Sequence, residues 1–346
     1  MDTKHKILKR DNLHIYKNLK GKTDSLKHSR VLVTGSGGFL GKTIVSFLQF
    51  LNNTKFNKEE QIEIIAIDYK EHDICNSLES FVPEGKIDYI INCAGIASPK
   101  KYLKSPIKTL DVSYLGTKNI FQLGMLRNTK SILMFSSSEV YGTPPPDRIP
   151  TQEEFIGSVT TFGNRSCYDI GKNVLETLSY VYHNNYDAPV NVLRPFNLYG
   201  PLMCLDDGRM IPNICKSMIG GKDFSVYGSG DQTRTYCYVT DAMVYLFHIL
   251  FSDKFGQIYN IGSEDEELSA LEIAEKTYSL IEPKNSDFIK RPYPKEYPDS
   301  EPQRRCPDIS KAKAEFGYSP QYTFERGFVS CYEYFCSLMT SSHMIS

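Results

Sequence analysis

From Arg30 onward the period of the apolar positions switches back and forth along the chain. Short apolar runs of strand length, RVLVTG, EIIAID, DYIINCAG, SILMFSS and PVNVLRP, are interleaved with the longer stretches GKTIVSFLQFL, PIKTLDVSYLGTKNIFQLGML and CYDIGKNVLETLSYVYH, which read as helices. Strands alternating with helices of this length predict a parallel sheet covered by helices on both faces. The expected fold class is α/β, a doubly wound parallel sheet of Rossmann type. After Asn197 the texture changes to Gly- and Pro-punctuated pieces, NLYGPLMCLDDGRM, IGGKDFSVYGSGDQTR and KRPYPKEYPDSEPQRRCPD, with helices between them. These predict a smaller C-terminal lobe closing over the carboxyl ends of the strands, where open sheets bind ligands. The expected division is an extension over 1–29, the Rossmann domain over 30–196, and a mainly substrate-binding lobe over 197–346 with some segments returning to the first domain.

The first 30 residues carry nine Lys and Arg against three Asp, so this segment is basic. Leu13, Ile15, Tyr16 and Leu19 form its apolar grouping and predict a short helix after Asp11-Asn12, then a polar linker through GKTDSLKHS. The expected role is a solubilising arm lying on the surface. A net charge of −1 gives the whole chain no pull toward nucleic acid or anionic lipid, so an anionic ligand has to be held by locally placed arginines and backbone amides. The nine cysteines include no C-x-x-C pair and no His/Cys cluster at zinc spacing, which predicts reduced thiols, no metal site and a cytoplasmic location. No segment approaches the roughly 18 uninterrupted apolar residues of a membrane span, and the basic N-terminus has no apolar signal-peptide core.

Two constellations carry chemistry. In TGSGGFLG, Gly35, Gly38 and Gly41 lie between a strand and a helix, where they allow a tight turn, close approach of a pyrophosphate and close helix packing. Asp68 ends the next strand, placed to accept hydrogen bonds from both ribose hydroxyls of an adenosine. It would repel a 2'-phosphate, and no Arg follows it, so NAD is expected in preference to NADP. The second constellation is Tyr168 and Lys172, four apart on one helical face. An ammonium near the phenol holds part of it as phenolate near neutral pH, making Tyr168 a feasible base. The histidines form no triad with a Ser or Cys, which argues against hydrolase chemistry.

With TGSGGFLG, NCAG, SSSEVYG, Tyr168-x-x-x-Lys172, RPFNLYGP and VYGSGDQTR in this order, the chain resembles the extended short-chain dehydrogenase/reductase superfamily. The likeness runs from about Arg30 to Tyr322 and falls in the branch of nucleotide-sugar epimerases, dehydratases and decarboxylases. ASPKKYLKSPIKTL, RSCYDIGKNVLETL, DDGRMIPN and PQRRCPDI are most similar to UDP-glucuronate decarboxylases. The resemblance implies a retained NAD, with Phe39, Leu40, Asp73 and Ala94 joining Gly35, Gly38, Gly41, Asp68, Tyr168 and Lys172 around it. It implies that Tyr168 takes the proton from the hydroxyl on sugar carbon 4, that Ser137 helps polarise that carbon, and that Glu139 and Arg305 serve decarboxylation and reprotonation. It places Tyr102, Ser138, Asn197, Arg234 and Arg305 around a nucleotide-sugar substrate, UDP being the expected nucleotide.

The dehydratases of the branch carry an Asp-Glu pair where this chain has Ser138-Glu139, so the acid that would protonate a departing hydroxyl is missing. Carbon dioxide loss from a β-keto acid needs no such acid. The alternatives are a 4,6-dehydratase or 4-epimerase, and, in another class, a non-catalytic nucleotide-sugar-binding protein. Two departures from the pattern stand out. Ser137 replaces the usual Thr and keeps its hydroxyl, whereas DYKEHDICNSLESF omits a helix and strand, so the adenine pocket must be rebuilt. Arg209 and Lys100-Lys101 are expected on solvated surface. The apolar stripes of PIKTLDVSYLGTKNIFQLGML and CYDIGKNVLETLSYVYH, which relatives pair into a four-helix bundle, imply a homodimer.

Overall fold

The structure, a computed structural model, describes residues 2–293 and 302–342; part of the Pro-rich stretch KRPYPKEYPDSEPQRRCPD lies outside them. Helix α1 (Thr3–Asn18) precedes strand β1 (Arg30–Thr34), helix α2 (Phe39–Thr54) and strand β2 (Glu63–Ile67). Strand β3 (Tyr89–Asn92) leads to α3 (Pro99–Lys104), α4 (Pro106–Asp111), a π-turn over Val112–Gly116 and α5 (Thr117–Leu126). Then come β4 (Ser131–Phe135), α6 (Ser166–Tyr186), β5 (Val190–Pro195), β6 (Asn197–Tyr199), α7 (Met210–Ile219), β7 (Phe224–Tyr227), β8 (Thr233–Tyr238) and α8 (Val239–Leu250). The last elements are β9 (Gln257–Ile261), β10 (Glu267–Ser269), α9 (Ala270–Ile281), β11 (Phe288–Arg291), β12 (Arg304–Arg305), α10 (Ser310–Phe316) and α11 (Phe324–Ser342).

Six strands make one parallel sheet in the order β2-β1-β3-β4-β5-β9. The central strands are apolar and buried on both faces, as their near-continuous Val, Ile and Leu content requires. Parallel strands end on a common edge, so the Gly-rich turn, Asp68, NCAG, SSSEVYG and RPFN are all delivered to the same rim of the sheet. The shortened connection after Asp68 contains only a one-turn 3-10 helix, Leu78–Ser80, and leaves β2 as the outer strand. The Asn119 amide closes this connection by donating to the carbonyls of Ile74 and Asn76 at 2.8 and 2.9 Å.

Past β5 the second lobe is built on β10-β8-β12, with β6 beside β8, and on a separate β7/β11 pair. Ile211, Ile214, Phe224, Ile273 and Phe328 belong to its core, and Phe39 at the start of α2 packs against both this core and that of the parallel sheet. Strand β9 returns to the large sheet.

One local expectation holds and one changes. The helix predicted over PIKTLDVSYLGTKNIFQLGML runs without interruption over 106–126, with a π-turn inside it at Val112–Gly116; Ser113 in that turn lies close to Gly171 on α6, where a Cβ would stand 2.8 Å from the Ser113 hydroxyl. The N-terminal segment is not a surface arm. Helix α1 starts eight residues earlier than Asp11 and buries Ile7, Asp11, Asn12 and Ile15 on one face. The polar pair Asp11-Asn12 interrupts that stripe in the sequence, but both residues find partners inside. Asp11 accepts from the hydroxyls of Tyr238 at 2.6 Å and Tyr322 at 3.3 Å, while Asn12 donates to Ser46 Oγ on α2 at 3.2 Å. Ile15 is 1% exposed. Ile15→Ala is therefore expected to lower stability by about 2–5 kcal/mol, the usual effect of emptying a core site, whereas a residue on a surface arm would shift it by less than about 0.5 kcal/mol. Urea unfolding distinguishes the two.

Candidate active site

The Gly-rich turn runs from β1 into the N-terminus of α2. Gly35 has φ +66°, and a Cβ there would lie 2.8 Å from the Ala94 amide nitrogen, so the turn rests directly on the NCAG backbone. Gly38 donates its amide to the Gly35 carbonyl at 3.0 Å. A Cβ on Gly41 would overlap that carbonyl and stand 2.7 Å from Ser36 Cα. Asp68 reaches across the mouth of this turn, its Oδ2 accepting from the Gly37 amide at 3.0 Å and its Oδ1 from the Lys70 amide at 3.1 Å. A glycine-rich turn, a helix N-terminus and a carboxylate at the adenosine end make a set that fits NAD. Phe39 and Leu40 occupy the first turn of α2. Asp73 is engaged elsewhere: its carboxylate pairs with Lys108 and accepts from the Cys75 amide at 3.0 Å. Burial acts to raise its pKa, but these two contacts outweigh it and hold the group below its ordinary value.

Tyr168, Lys172 and Glu176 lie on one face of α6, against the end of β4. Lys172 Nζ donates to the Phe135 carbonyl at 2.6 Å and sits 5.8 Å from the centre of the Tyr168 ring. A Cβ on Gly95 would be 3.4 Å from the same nitrogen, so the ammonium is wedged between the NCAG turn and the end of β4. Burial lowers Lys172 to about 8, against the opposing pull of Cys93 and Glu176. Burial likewise raises Tyr168 to about 12, opposed by a hydrogen bond with Ser137. This corrects one expectation: in the protein alone the lysine is tied to a carbonyl and does not hold the phenol as phenolate, because removing both groups from water penalises both charges. Tyr102, placed near the sugar by the sequence, is buried and stacks on Tyr168 with centroids 5.2 Å apart and rings 15° from parallel.

Glu139 stands on the 3-10 turn Ser138–Tyr141, capped by Ser137 Oγ, which accepts from the Glu139 amide at 3.3 Å. Arg305 on β12 is buried, donating to the Ser138 carbonyl at 2.9 Å and to Glu139 Oε2 at 3.2 Å. Arg165, at the N-terminus of α6, donates to the same Oε2 and lies 3.7 Å from Asp169 Oδ2. Arg165 and Asp169 were not singled out by the sequence reading, although RSCYD spaces them four apart around Tyr168, which is the spacing of an ion pair on a helix. Arg209 is exposed, as expected, and pairs with Asp207 at 2.8 Å; from there its charge acts to lower the Tyr168 phenol.

The remaining substrate candidates lie on the second lobe's strands. Asn197 donates to the Thr235 carbonyl at 3.4 Å. Arg234, opposite Arg305 in the β8/β12 register, donates to the carbonyls of Thr233 at 2.8 Å and Pro302 at 2.6 Å, anchoring the segment that brings Arg305 to Glu139. Among the described residues no group of three or more His, Cys, Asp or Glu could hold a metal ion, and no helix is long and apolar enough to cross a membrane.

The fold and this site define a nucleotide-binding α/β protein with a Tyr/Lys pair and an arginine-flanked carboxylate at the rim of its sheet. Residues 31–262 match the NAD dependent epimerase/dehydratase family, and the chain belongs to that family. It is 35% identical over 311 residues to UDP-glucuronic acid decarboxylase 6 of Arabidopsis thaliana, covering 86% of each chain. To UDP-glucuronic acid decarboxylase 1 of Danio rerio it is 34% identical over 319 residues, covering 88% of this chain and 72% of the relative. Among solved structures, the epimerase Mth375 of Methanothermobacter thermautotrophicus superposes with a TM-score of 0.79 at 21% identity, over 95% of this chain and 98% of that one. MoeE5 in complex with UDP-glucuronic acid and NAD gives 0.72 at 20% identity, over 89% and 99%. At these identities the structural likeness speaks for the fold.

Proposed function

We propose that the protein is an NAD-retaining decarboxylase that converts UDP-glucuronate to UDP-xylose or its 4-keto pentose. The observation that carries this reading is Glu139, held by Arg165 and Arg305 beside Tyr168, with Ser138 where a dehydratase carries its acid. Bound NAD supplies the hydride acceptor at sugar carbon 4 and returns the hydride at the end. Tyr168 takes the proton from the carbon 4 hydroxyl, and Ser137, whose hydrogen bond favours the phenolate, steadies the same oxygen. Lys172 holds a positive charge near the phenol and the ribose.

With carbon 4 a ketone, the carboxylate on carbon 5 is β to it. The bond between carbons 5 and 6 breaks, carbon dioxide leaves, and the electron pair is taken up as the enolate spanning carbons 4 and 5. One proton is then added at carbon 5, the step assigned to Glu139 and Arg305, and Tyr168 returns its proton to the carbon 4 oxygen as the hydride comes back. Asn197 and Arg234 face the diphosphate in this reading, Arg suiting phosphate oxygens by its planar fork of donors. Mass spectrometry of products from UDP-glucuronate, UDP-glucose and dTDP-glucose tests it. Loss of carbon dioxide from UDP-glucuronate is expected; loss of water from a hexose substrate instead would make the protein a dehydratase. Glu139→Gln is expected to leave the first oxidation and stall carbon dioxide release.

The reading includes a homodimer through α4, the π-turn, α5 and α6. Ile107 is 70% exposed and Tyr180 68%, with Leu110, Tyr114 and Leu115 exposed beside them, an apolar face that a second copy would cover. Ile107→Glu is expected to shift the sedimentation coefficient from dimer to monomer.

A further inference from the structure

We propose that Arg165, held in turn by Asp169, is a positioning residue that fixes Glu139 with one carboxylate oxygen turned toward the sugar. This role presupposes decarboxylation of UDP-glucuronate. Both guanidinium groups at the site converge on a single oxygen, Glu139 Oε2, and among the described residues no hydrogen bond reaches Oε1. The two arginines differ in what anchors them. Arg305 belongs to β12, paired with β8, and donates also to the Ser138 carbonyl, so it ties the turn of Glu139 to the second lobe. Arg165 belongs to α6, the helix that carries Tyr168, and its contact ties the carboxylate to the phenol that works at the neighbouring carbon.

Without Arg165, Glu139 would keep one side-chain contact, at 3.2 Å, on a four-residue 3-10 turn. A carboxylate so held visits other rotamers, and a displacement of about 1 Å at a reacting group costs roughly 10²-fold in rate. The oxidation at carbon 4, which runs through Tyr168 and Lys172, does not depend on that placement.

Asp169 stands behind Arg165. Its Oδ2 is 3.7 Å from Arg165 Nε, and its Oδ1 is buried without a hydrogen-bond partner. The groups facing it are Arg165 and Tyr168 on its own helix, Cys167 beside them, Glu139 from the 3-10 turn, Arg305 from β12 and Tyr102 from α3. Burial, opposed by Arg165 and reinforced by Glu139, raises Asp169 to about 6. As pH falls through that value the carboxyl becomes neutral and its hold on Arg165 is lost, so the hold is present above about pH 6 and absent below it.

The experiment compares wild type, Arg165→Ala, Arg165→Lys and Asp169→Asn for carbon dioxide release, KM, single-turnover absorbance of the reduced nicotinamide, and pH profile. Arg165→Ala is expected to lower kcat roughly 10²-fold with KM little changed, the absorbance forming at the wild-type rate and then persisting; Arg165→Lys restores part of the loss. Asp169→Asn is expected to remove the acid limb near pH 6 and hold activity at the low-pH level throughout. Wild-type kcat in Arg165→Ala, or an equal slowing of absorbance formation and carbon dioxide release, overturns the positioning role while leaving the decarboxylase reading intact. Should Arg165→Ala fail to fold, an acid limb unchanged in Asp169→Asn overturns it. A wild-type protein that releases no carbon dioxide overturns both.

Discussion

Tyr168→Phe is expected to slow turnover of UDP-glucuronate about 10²–10⁴-fold, the range associated with loss of a general base. The substitution removes one oxygen and leaves the ring, so the stack on Tyr102 at 5.2 Å survives and the fold has no reason to change. Substrate affinity should change little for the same reason. Because burial raises the free phenol to about 12, the proton has to be removed against a high resting pKa. That makes the positive charge on Lys172 part of the same step, and a Lys172→Met change is expected to fall in the same range as Tyr168→Phe. Steady-state kcat and equilibrium binding of the nucleotide sugar decide the matter: near wild-type turnover in Tyr168→Phe would mean that the oxidation does not run through this residue.

Gly41→Val is expected to abolish NAD binding and with it all turnover. The valine Cβ would overlap the Gly35 carbonyl and lie 2.7 Å from Ser36 Cα, both backbone atoms with no freedom to rotate aside. Relief requires α2 to move off the turn, which opens the cradle at the point where a pyrophosphate approaches. Overpacking of this kind costs about 1–3 kcal/mol when neighbours can give. Here the neighbours are backbone. Gly38 is the more forgiving position, since a Cβ there meets only the Gly35 carbonyl at 3.2 Å. Calorimetric titration with NAD, alongside thermal unfolding, separates a lost cofactor site from a lost fold.

The parallel sheet, its cofactor turn and the Tyr/Lys helix were legible because each rests on local signals: apolar runs of strand length, glycines at fixed offsets and a same-face spacing. The omission after Asp68 was legible too, and its outcome, β2 at the outer edge, follows from a missing strand. What the sequence concealed depends on contacts between distant segments. Asp11 and Asn12 read as a helix start because polar residues usually face water, whereas the hydroxyls of Tyr238 and Tyr322, far along the chain, join the adjacent Arg10 in making a buried carboxylate tolerable there. Arg165 was passed over because its partner Glu139 comes from another element. Arg234 reads as a phosphate ligand, yet its donors also reach carbonyls of Thr233 and Pro302. The resting state of Tyr168 was misjudged because spacing fixes which residues share a face, whereas burial fixes their proton affinity.

Helix α1 packs between α2, α8 and α11, and its inner polar residues are satisfied by side chains from Ser46 to Tyr322. The two tyrosines that donate to Asp11 stand 227 and 311 residues further along the chain. Arg10 pairs with Asp11 from the next position, but the apolar stripe and the tyrosine hydroxyls meet only when these distant segments come together. Contacts of such long sequence separation carry a large loop-closure cost and form slowly, so docking of α1 is expected among the late events of folding.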